Sequence, residues 1–312
     1  MKKPALLILG LLLLAFISIY FIIPQRITTT RSIQTDANDI NVSKFLVNKK
    51  PWLKWWPGEH KAGDSTFFSY KGVNYILQKN TNSDIQVLVK LNDLELNSTV
   101  TYSSAGEGMC TVTWATEKQS SLNPFTRIAQ FWKIKMSARD IDEILAHFKT
   151  FIQKDTNVYG MAVSLDKIKN PIVLATTANT NEYPTTSIIY KMIDGLRQQV
   201  KVQKALQTDS PMLNIYHTDE KSYQVMVALP INKLITPGPN TVINNLVGGG
   251  NILHTEVKGG RHTIENAFTQ LKKYQDDHGL RSPAMPYELL ITNRLAQPDT
   301  TKWITKVFYP IY

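Results

Sequence analysis

One carboxylate in an apolar run is the residue of this chain best suited to bind a ligand. Glu288 follows Tyr287 and precedes residues 289–291, which are all aliphatic. A carboxylate there either points into solvent by strand alternation or lies in a desolvated place, where it is costly unless it is paired. In the second case it would attract a cation, together with ring faces such as those of Tyr287 or Trp303. The alternation of a strand leaves both placements open.

His262 supplies a second group that can exchange protons, and with Glu288 it could act as acid and base. The known catalytic patterns Gly-x-Ser-x-Gly, His-Glu-x-x-His and Gly-x-Gly-x-x-Gly do not occur. The six histidines lack metal-ligand spacing, and a single cysteine, Cys110, excludes an intramolecular disulfide and a cysteine-based zinc site. We therefore expect no catalytic residues, no metal and no cofactor. A hydrolase or isomerase acting on a bound molecule remains the alternative.

The net charge of +10 does not form a nucleic-acid surface. Its basic excess is spread evenly over both halves of the chain, whereas nucleic-acid-binding proteins usually have a dense basic stripe. A glycine run at 248–250 could cradle phosphate, but the accompanying Gly-x-x-x-x-Gly-Lys-Ser/Thr pattern is missing. We expect no nucleic-acid partner and interpret the run as a joint.

Residues 1–25 are predicted to anchor the chain in a membrane. The 19 uncharged residues 5–23 would extend about 28 Å as a helix, close to the ~30 Å hydrocarbon core. A cleaved signal peptide is the alternative, but its small-x-small site is missing. Lys2 and Lys3 favour a cytoplasmic N-terminus. The prediction is a single-pass membrane protein with its globular part on the non-cytoplasmic side.

The elements of residues 26–155 must build the first globular domain. A strand and a short helix precede several antiparallel strands, and apolar spacing predicts a helix over 140–154. Three tryptophans between 52 and 56, closed by Pro57-Gly58, form either a lid on the core or a contact with ligand or membrane. A curved sheet around a long helix commonly encloses an apolar cavity.

These residues resemble the SRPBCC (START-type, helix-grip) superfamily. The resemblance is carried by Arg-Ser-Ile at 31–33, Trp-x-x-Trp-Trp-Pro-Gly at 52–58, Val-Thr-Trp at 112–114 and the terminal helix. It implies a cavity for a hydrophobic ligand, but no single activity.

The remaining residues, 160–312, contain two similar copies at about 171–231 and 251–311. Each copy is a predicted strand, helix, strand and strand. The two Ser-Pro pairs lie 72 residues apart and the two Pro-Ile endings 80 apart, because the last loop of the second copy, at 294–301, is longer. Such a duplication predicts a pseudo-twofold domain with a cleft between the copies.

This half is similar to the GyrI-like, or AraC-type effector-binding, domain. The similarity is carried by Gly-Arg-His at 260–262, Ala-Phe at 267–268 and the run 286–292; His262 and Leu290 stand where the family commonly has aromatic residues. The resemblance implies that Glu288 lies at the bottom of a pocket and meets cationic, often aromatic ligands. The helix-turn-helix that often precedes this domain is replaced here, so a transcription factor is not expected.

The sequence thus predicts an α+β protein with a transmembrane helix, a helix-grip antiparallel sheet domain and a duplicated strand-helix-strand-strand domain. The predicted function is membrane-anchored binding of apolar or cationic amphiphilic small molecules, for sensing, sequestration or transfer. The predicted ligand-binding residues are Glu288, Tyr287, His262 and Trp303. A non-catalytic protein-interaction scaffold is the second alternative.

Overall fold

The protein is α+β and forms two compact units, Met1–Lys154 and Asp155–Tyr312. The computed structural model describes residues 10, 13–14, 16–81, 84–106, 108–219 and 222–312. Each unit contains one antiparallel sheet, and helices pack against it. The predicted fold class, α+β with antiparallel sheets, is confirmed at this level.

The first unit is a seven-stranded sheet in the order β1-β7-β6-β5-β4-β3-β2. Its strands are β1 (Arg26–Thr35), β2 (Glu59–His60), β3 (Phe67–Tyr70), β4 (Val73–Asn80), β5 (Asp84–Leu91), β6 (Leu94–Gly106) and β7 (Met109–Gln119). Its helices include α1 (Asp39–Leu46), α2 (Lys49–Trp55) and α3 (Pro124–Ile152), and residues 16–22 are also helical. Strand β1 pairs with β7, the last strand of this unit in the chain, and α3 lies against β1.

The tryptophans of residues 52–56 belong to the core of the first unit. Trp52 and Trp55 are fully buried, and their rings lie 4.6 Å apart. Each of the three indole nitrogens donates a hydrogen bond to a backbone carbonyl: Trp52 to Leu46, Trp55 to Phe45 and Trp56 to Ser69. A Cβ on Gly58 would lie 1.9 Å from the Ser69 carbonyl oxygen, so only glycine fits there. The structure therefore favours the core interpretation of this segment.

The predicted membrane anchor requires a correction. Among the residues that the structure describes, no helix is both long and apolar enough to cross a membrane. Much of the predicted span, namely residues 5–9, 11–12 and 15, lies outside the described residues. This finding contradicts the prediction of a single-pass membrane protein with its globular part on the non-cytoplasmic side, which rested on the length and apolar composition of residues 5–23.

The second unit is an eight-stranded sheet in the order β12-β9-β11-β10-β14-β15-β13-β8. Its strands are β8 (Ser164–Lys167), β9 (Ile172–Thr180), β10 (Met212–Asp219), β11 (Ser222–Pro230), β12 (Thr241–Asn245), β13 (Asn251–Lys258), β14 (Tyr287–Leu290) and β15 (Ile304–Ile311). Its helices are the short α4 (Asp155–Val158) and the long α5 (Thr186–Val202) and α6 (Arg261–Asp277). From the edge towards the centre, the first copy has the order β9-β11-β10 and the second copy has the order β13-β15-β14. The two strand-helix-strand-strand copies therefore have the same strand order and meet at the centre of the sheet.

Both long helices cover the same face of this sheet. Ile189, Ile193 and Leu196 of α5 pack with Leu213 on β10, while Ile264, Ala267 and Leu271 of α6 pack with Val307 on β15. The Cα register places both Leu213 and Val307 opposite Glu288 on β14. Side chains that are paired across neighbouring strands share a face. Glu288 therefore points to the side on which α5 and α6 lie.

Candidate functional site

An open cavity of about 1130 Å³ lies in the second unit on the helix-covered face of the sheet. Its walls are formed by the beginning of α5, one side of α6, strands β10, β11, β14 and β15, and the loop between β14 and β15. Aromatic and aliphatic side chains line much of it: Tyr183, Ile189, Ile215, Tyr223, Ile264, Phe268, Trp303 and Tyr309. Its charged side chains are Arg261, Glu265, Lys272, Glu288 and Arg294.

Glu288 lines the cavity as a buried member of an ion pair. Its Oε2 accepts a hydrogen bond from Arg294 Nη2 at 2.6 Å, and each of the two side chains is only 7 % exposed. From the sequence alone, this carboxylate is predicted to be free to attract a cationic ligand. The structure instead provides its countercharge from the same chain, which is what a buried carboxylate needs.

Arg294 is held from several sides. Its Nη2 also donates to Thr305 Oγ1 at 3.0 Å, and its guanidinium carbon lies 4.7 Å from the centre of the Trp303 ring. Its backbone N–H donates to the Tyr190 hydroxyl at 2.7 Å. The carboxylate, the ring face and the hydroxyl together give this arginine the surroundings of a bound cation.

The loop between β14 and β15 places both Arg294 and Trp303. Thr292 and Ile304 close its base, with two backbone N–H groups donating across it. The Trp303 indole donates to the Gln297 carbonyl at 2.7 Å, which fixes the ring within the loop. This is the segment that makes the second sequence copy longer than the first, so the first copy has no equivalent of the arginine–tryptophan pair.

A second arginine–glutamate pair lies on the α6 wall of the cavity. Arg261 Nε and Glu265 Oε1 are 2.6 Å apart, one helical turn from each other, and both side chains are about half exposed (50 % and 53 %). The Arg261 guanidinium lies 3.6 Å from the centre of the Tyr183 ring. Exposed pairs of this kind contribute little to stability, about 0–1 kcal/mol, so this pair shapes the wall rather than holding the fold together.

The titration behaviour of the cavity follows from burial. Desolvation raises the pKa of Glu288, and the charge and hydrogen bond of Arg294 partly offset that rise. Desolvation, with a further contribution from the negative charge of Glu288, raises the pKa of Tyr183 to about 12. The Tyr183 hydroxyl is therefore neutral at physiological pH and can donate a hydrogen bond to a ligand.

The beginning of α6 depends on two glycines. Gly259 has φ +150, and a Cβ there would lie 2.4 Å from Thr263 Oγ1. Gly260 precedes the helix without a side-chain cap, and a Cβ there would come within 3.1 Å of Thr300, which lines the cavity. The backbone N–H of Gly259 donates to the Trp303 carbonyl. These contacts bring the start of α6 against the loop that carries Arg294 and Trp303.

Of the four predicted ligand-binding residues, the structure brings two together. Glu288 and Trp303 both line the cavity. Tyr287 points to the opposite face of the sheet, where its ring stacks on Phe308 with centres 5.2 Å apart. His262 is exposed near the beginning of α6 and does not line the cavity.

Sequence reasoning missed Arg294, Arg261 and Tyr183. Arg294 lies six residues after Glu288, across a loop, and no strand or helix periodicity links the two positions. The available signal was the eight-residue excess in the second copy, which marked the loop as a special feature. Arg261 was noted only as part of a family pattern.

Among known proteins, similarity to this chain is found only with solved structures. No family model matches the chain, and no curated protein matches it. The EcmrR C-terminal domain is similar at 19 % identity, with 49 % of this chain and 98 % of that chain covered and a TM-score of 0.40. SAV2435 bound to tetraphenylphosphonium is similar at 11 % identity, covering 49 % and 94 %, with a TM-score of 0.33.

A further similar structure is an EcmrR–DNA complex, at 19 % identity, with 60 % of this chain and 71 % of that chain covered and a TM-score of 0.43. This finding contradicts the prediction of no nucleic-acid partner, which is withdrawn; an even spread of basic residues along the sequence does not fix how they are distributed on the folded surface. The SRPBCC resemblance of the first unit stays a prediction.

Proposed function

We propose that the second unit binds a small, largely apolar molecule in the cavity beside Glu288, for sensing, sequestration or transfer. The observation that carries this proposal is the cavity itself, which is open, has a volume of about 1130 Å³ and is walled by aromatic and aliphatic side chains. Ligand sites typically measure roughly 300–1,000 Å³ and combine apolar walls with a few fixed polar groups. The Glu288–Arg294 pair and the Tyr183 hydroxyl are such groups.

The hypothesis of a cationic amphiphile depends on a carboxylate that is free to receive it. Glu288 already accepts a charged hydrogen bond from Arg294, so its charge is balanced and attracts a further cation less strongly. An apolar ligand can occupy the cavity beside the intact pair. The proposed ligand is therefore defined by its apolar part, which packs against the cavity walls, and not by a positive charge.

The two alternatives are weaker on this geometry. A hydrolase or isomerase that uses Glu288 and His262 as acid and base needs both groups at the substrate, and His262 is exposed outside the cavity lining. An interaction scaffold does not require an open cavity of this size. A ligand titration distinguishes a binding protein from an interaction scaffold. A test for turnover of the bound compound distinguishes a binding protein from an enzyme.

The test is a fluorescence titration of the full chain with N-phenyl-1-naphthylamine, a neutral apolar probe that brightens in apolar surroundings. Thr269 lines the cavity from α6, so Thr269→Trp should fill part of it and weaken binding of the probe. Asn266→Trp is the matched control, because Asn266 is an exposed residue of the same helix that does not line the cavity. Equal binding by both variants and the unchanged protein would contradict the proposal. Native mass spectrometry of the purified protein adds a search for a co-purified ligand.

A further inference from the structure

The position of Arg294 bears on which charge the ligand carries. Sites for cations typically offer a carboxylate, a ring face or hydrogen-bond acceptors. Arg294 already uses all three, since it contacts Glu288, the face of Trp303 and the hydroxyl of Thr305. Each contact comes from a buried or half-buried residue. The cation-binding features of the cavity are thus occupied by a group of the protein itself.

The guanidinium of Arg294 keeps donors for a ligand. Its side-chain hydrogen bonds to other described residues all use Nη2, so Nε and Nη1 have donor capacity left, and the side chain lines the cavity. The guanidinium has five N–H donors in a planar fork that fits a carboxylate, sulfonate or phosphate. Arg294 can therefore keep Glu288 and still donate to an anionic oxygen.

The other charges of the lining leave no carboxylate free for a cation. Three basic side chains line the cavity, Arg261, Lys272 and Arg294, against two acidic ones, Glu265 and Glu288. Both acidic side chains have an arginine partner within the lining, whereas Lys272 pairs with Asp276, which is not part of the lining. The lining itself has one more basic than acidic side chain, Asp276 balances that excess from outside the lining, and neither lining carboxylate lacks an arginine partner.

We infer that Arg294 is the specificity-determining residue of the cavity and that its ligand is an apolar molecule with an anionic group, such as an aromatic carboxylate. This inference rests on the proposed binding function and adds the charge of the ligand to it. The apolar part packs on the aromatic and aliphatic walls, and the anionic group meets the open donors of Arg294. A cation is disfavoured because Arg294 already balances the charge of Glu288.

The experiment compares three probes on the full chain. The first two are 1-anilinonaphthalene-8-sulfonate and N-phenyl-1-naphthylamine, which share the same ring system and differ by one sulfonate. The third is tetraphenylphosphonium, an apolar cation, measured by calorimetry. We expect the protein to bind the sulfonate probe at least tenfold more tightly than the neutral one, the range for one charged hydrogen bond being roughly ten- to hundredfold. Binding of the cation should be the weakest.

Variants of the pair separate charge from shape. Arg294→Met should abolish the preference for the sulfonate and strengthen cation binding about tenfold, because Glu288 is then free. Glu288→Gln should strengthen sulfonate binding. The double variant Arg294→Met/Glu288→Gln carries neither charge, so it should bind the neutral probe as before, without preference for either charged one. Arg197→Met is the matched control, since Arg197 is an exposed arginine of the same unit, paired with Asp194 and outside this cavity.

The outcomes distinguish the inference of an anionic ligand at Arg294 from the proposed binding function of the cavity. If the neutral probe binds and Thr269→Trp weakens it, but the sulfonate gives no advantage or the advantage survives in the double variant, the inference is overturned and the binding function stands. The same holds if the unchanged protein binds the cation as tightly as Arg294→Met does. If no probe binds at the cavity, both fall. The double variant guards against misfolding, because it leaves no unpaired buried charge.

Discussion

Replacing Glu288 by Gln should destabilise the second unit, and this is the sharpest test of the buried pair. If the carboxylate were buried without a partner, its replacement would leave stability unchanged or raise it. In the structure the change leaves Arg294 buried at 7 % exposure without its countercharge. Removing one partner of a buried pair costs about 3–5 kcal/mol. Arg294 keeps Thr305 and the Trp303 ring, and the amide can still accept one hydrogen bond, so we expect about 2–4 kcal/mol.

The chain contains its own control for this measurement. Arg261 and Glu265 are also 2.6 Å apart but are about half exposed, so Glu265→Gln should cost at most about 1 kcal/mol. Distance is thus held constant while burial differs. Urea unfolding gives the free energies, and scanning calorimetry should show the transition of the second unit shifted downward by roughly 4–16 °C in Glu288→Gln, at about 2–4 °C per kcal/mol. The double variant with Arg294→Met should recover most of the loss. Equal stability of Glu288→Gln and the unchanged protein would refute the pairing argument.

Three further predictions concern single positions. Burial raises the pKa of the Cys110 thiol to about 11, so this cysteine should not react with Ellman's reagent at pH 8 until the first unit is unfolded; rapid labelling of the native protein would contradict its burial. Gly259→Ala should lower the free energy of unfolding by about 1–3 kcal/mol, because its Cβ would lie 2.4 Å from Thr263 Oγ1; Gly279→Ala, where φ is also positive but nothing lies within 4 Å, should cost less, and equal costs would remove the steric argument. Tyr75→Phe should raise stability in urea unfolding by about 1 kcal/mol, since the buried Tyr75 hydroxyl has no hydrogen-bond partner among the described residues; a loss of stability would mean that the hydroxyl is satisfied.

The duplicated domain could be predicted because its signals are local and repeated. Each copy has one helix with an apolar face, one Ser-Pro pair and one Pro-Ile ending, and these predict the same order of elements in both copies. The strand order of the second unit shows the same duplication. The position of Tyr287 on the face opposite Glu288 can also be predicted from the sequence, because neighbouring residues of a strand point to opposite faces. Glu288 and Tyr287 could not both face one cavity.

Other features depend on contacts that no local pattern contains. The pairing of Glu288 with Arg294 crosses a loop, and the position of that loop is set by backbone hydrogen bonds at its base. Helix α3 begins at Pro124, well before the apolar spacing that was recognised at 140–154. Asn123 caps its first turn, and Phe125 and Trp132 are exposed, which obscures the helical periodicity of that stretch.

The distribution of tryptophans has a spectroscopic consequence. Of the six in the chain, Trp303 is the only one in residues 155–312, and its ring faces the Arg294 guanidinium inside the cavity. Four others, in the first unit, belong to an aromatic cluster whose rings lie within about 6 Å of a neighbour, close enough for excitation to pass between them. Replacing Trp303 by Phe should therefore remove from the intrinsic emission the indole that lines this cavity, while the clustered indoles continue to report on the first unit. The protein thus carries a native optical probe at the cavity proposed to bind a ligand, and a difference spectrum between the two forms isolates it without any added label.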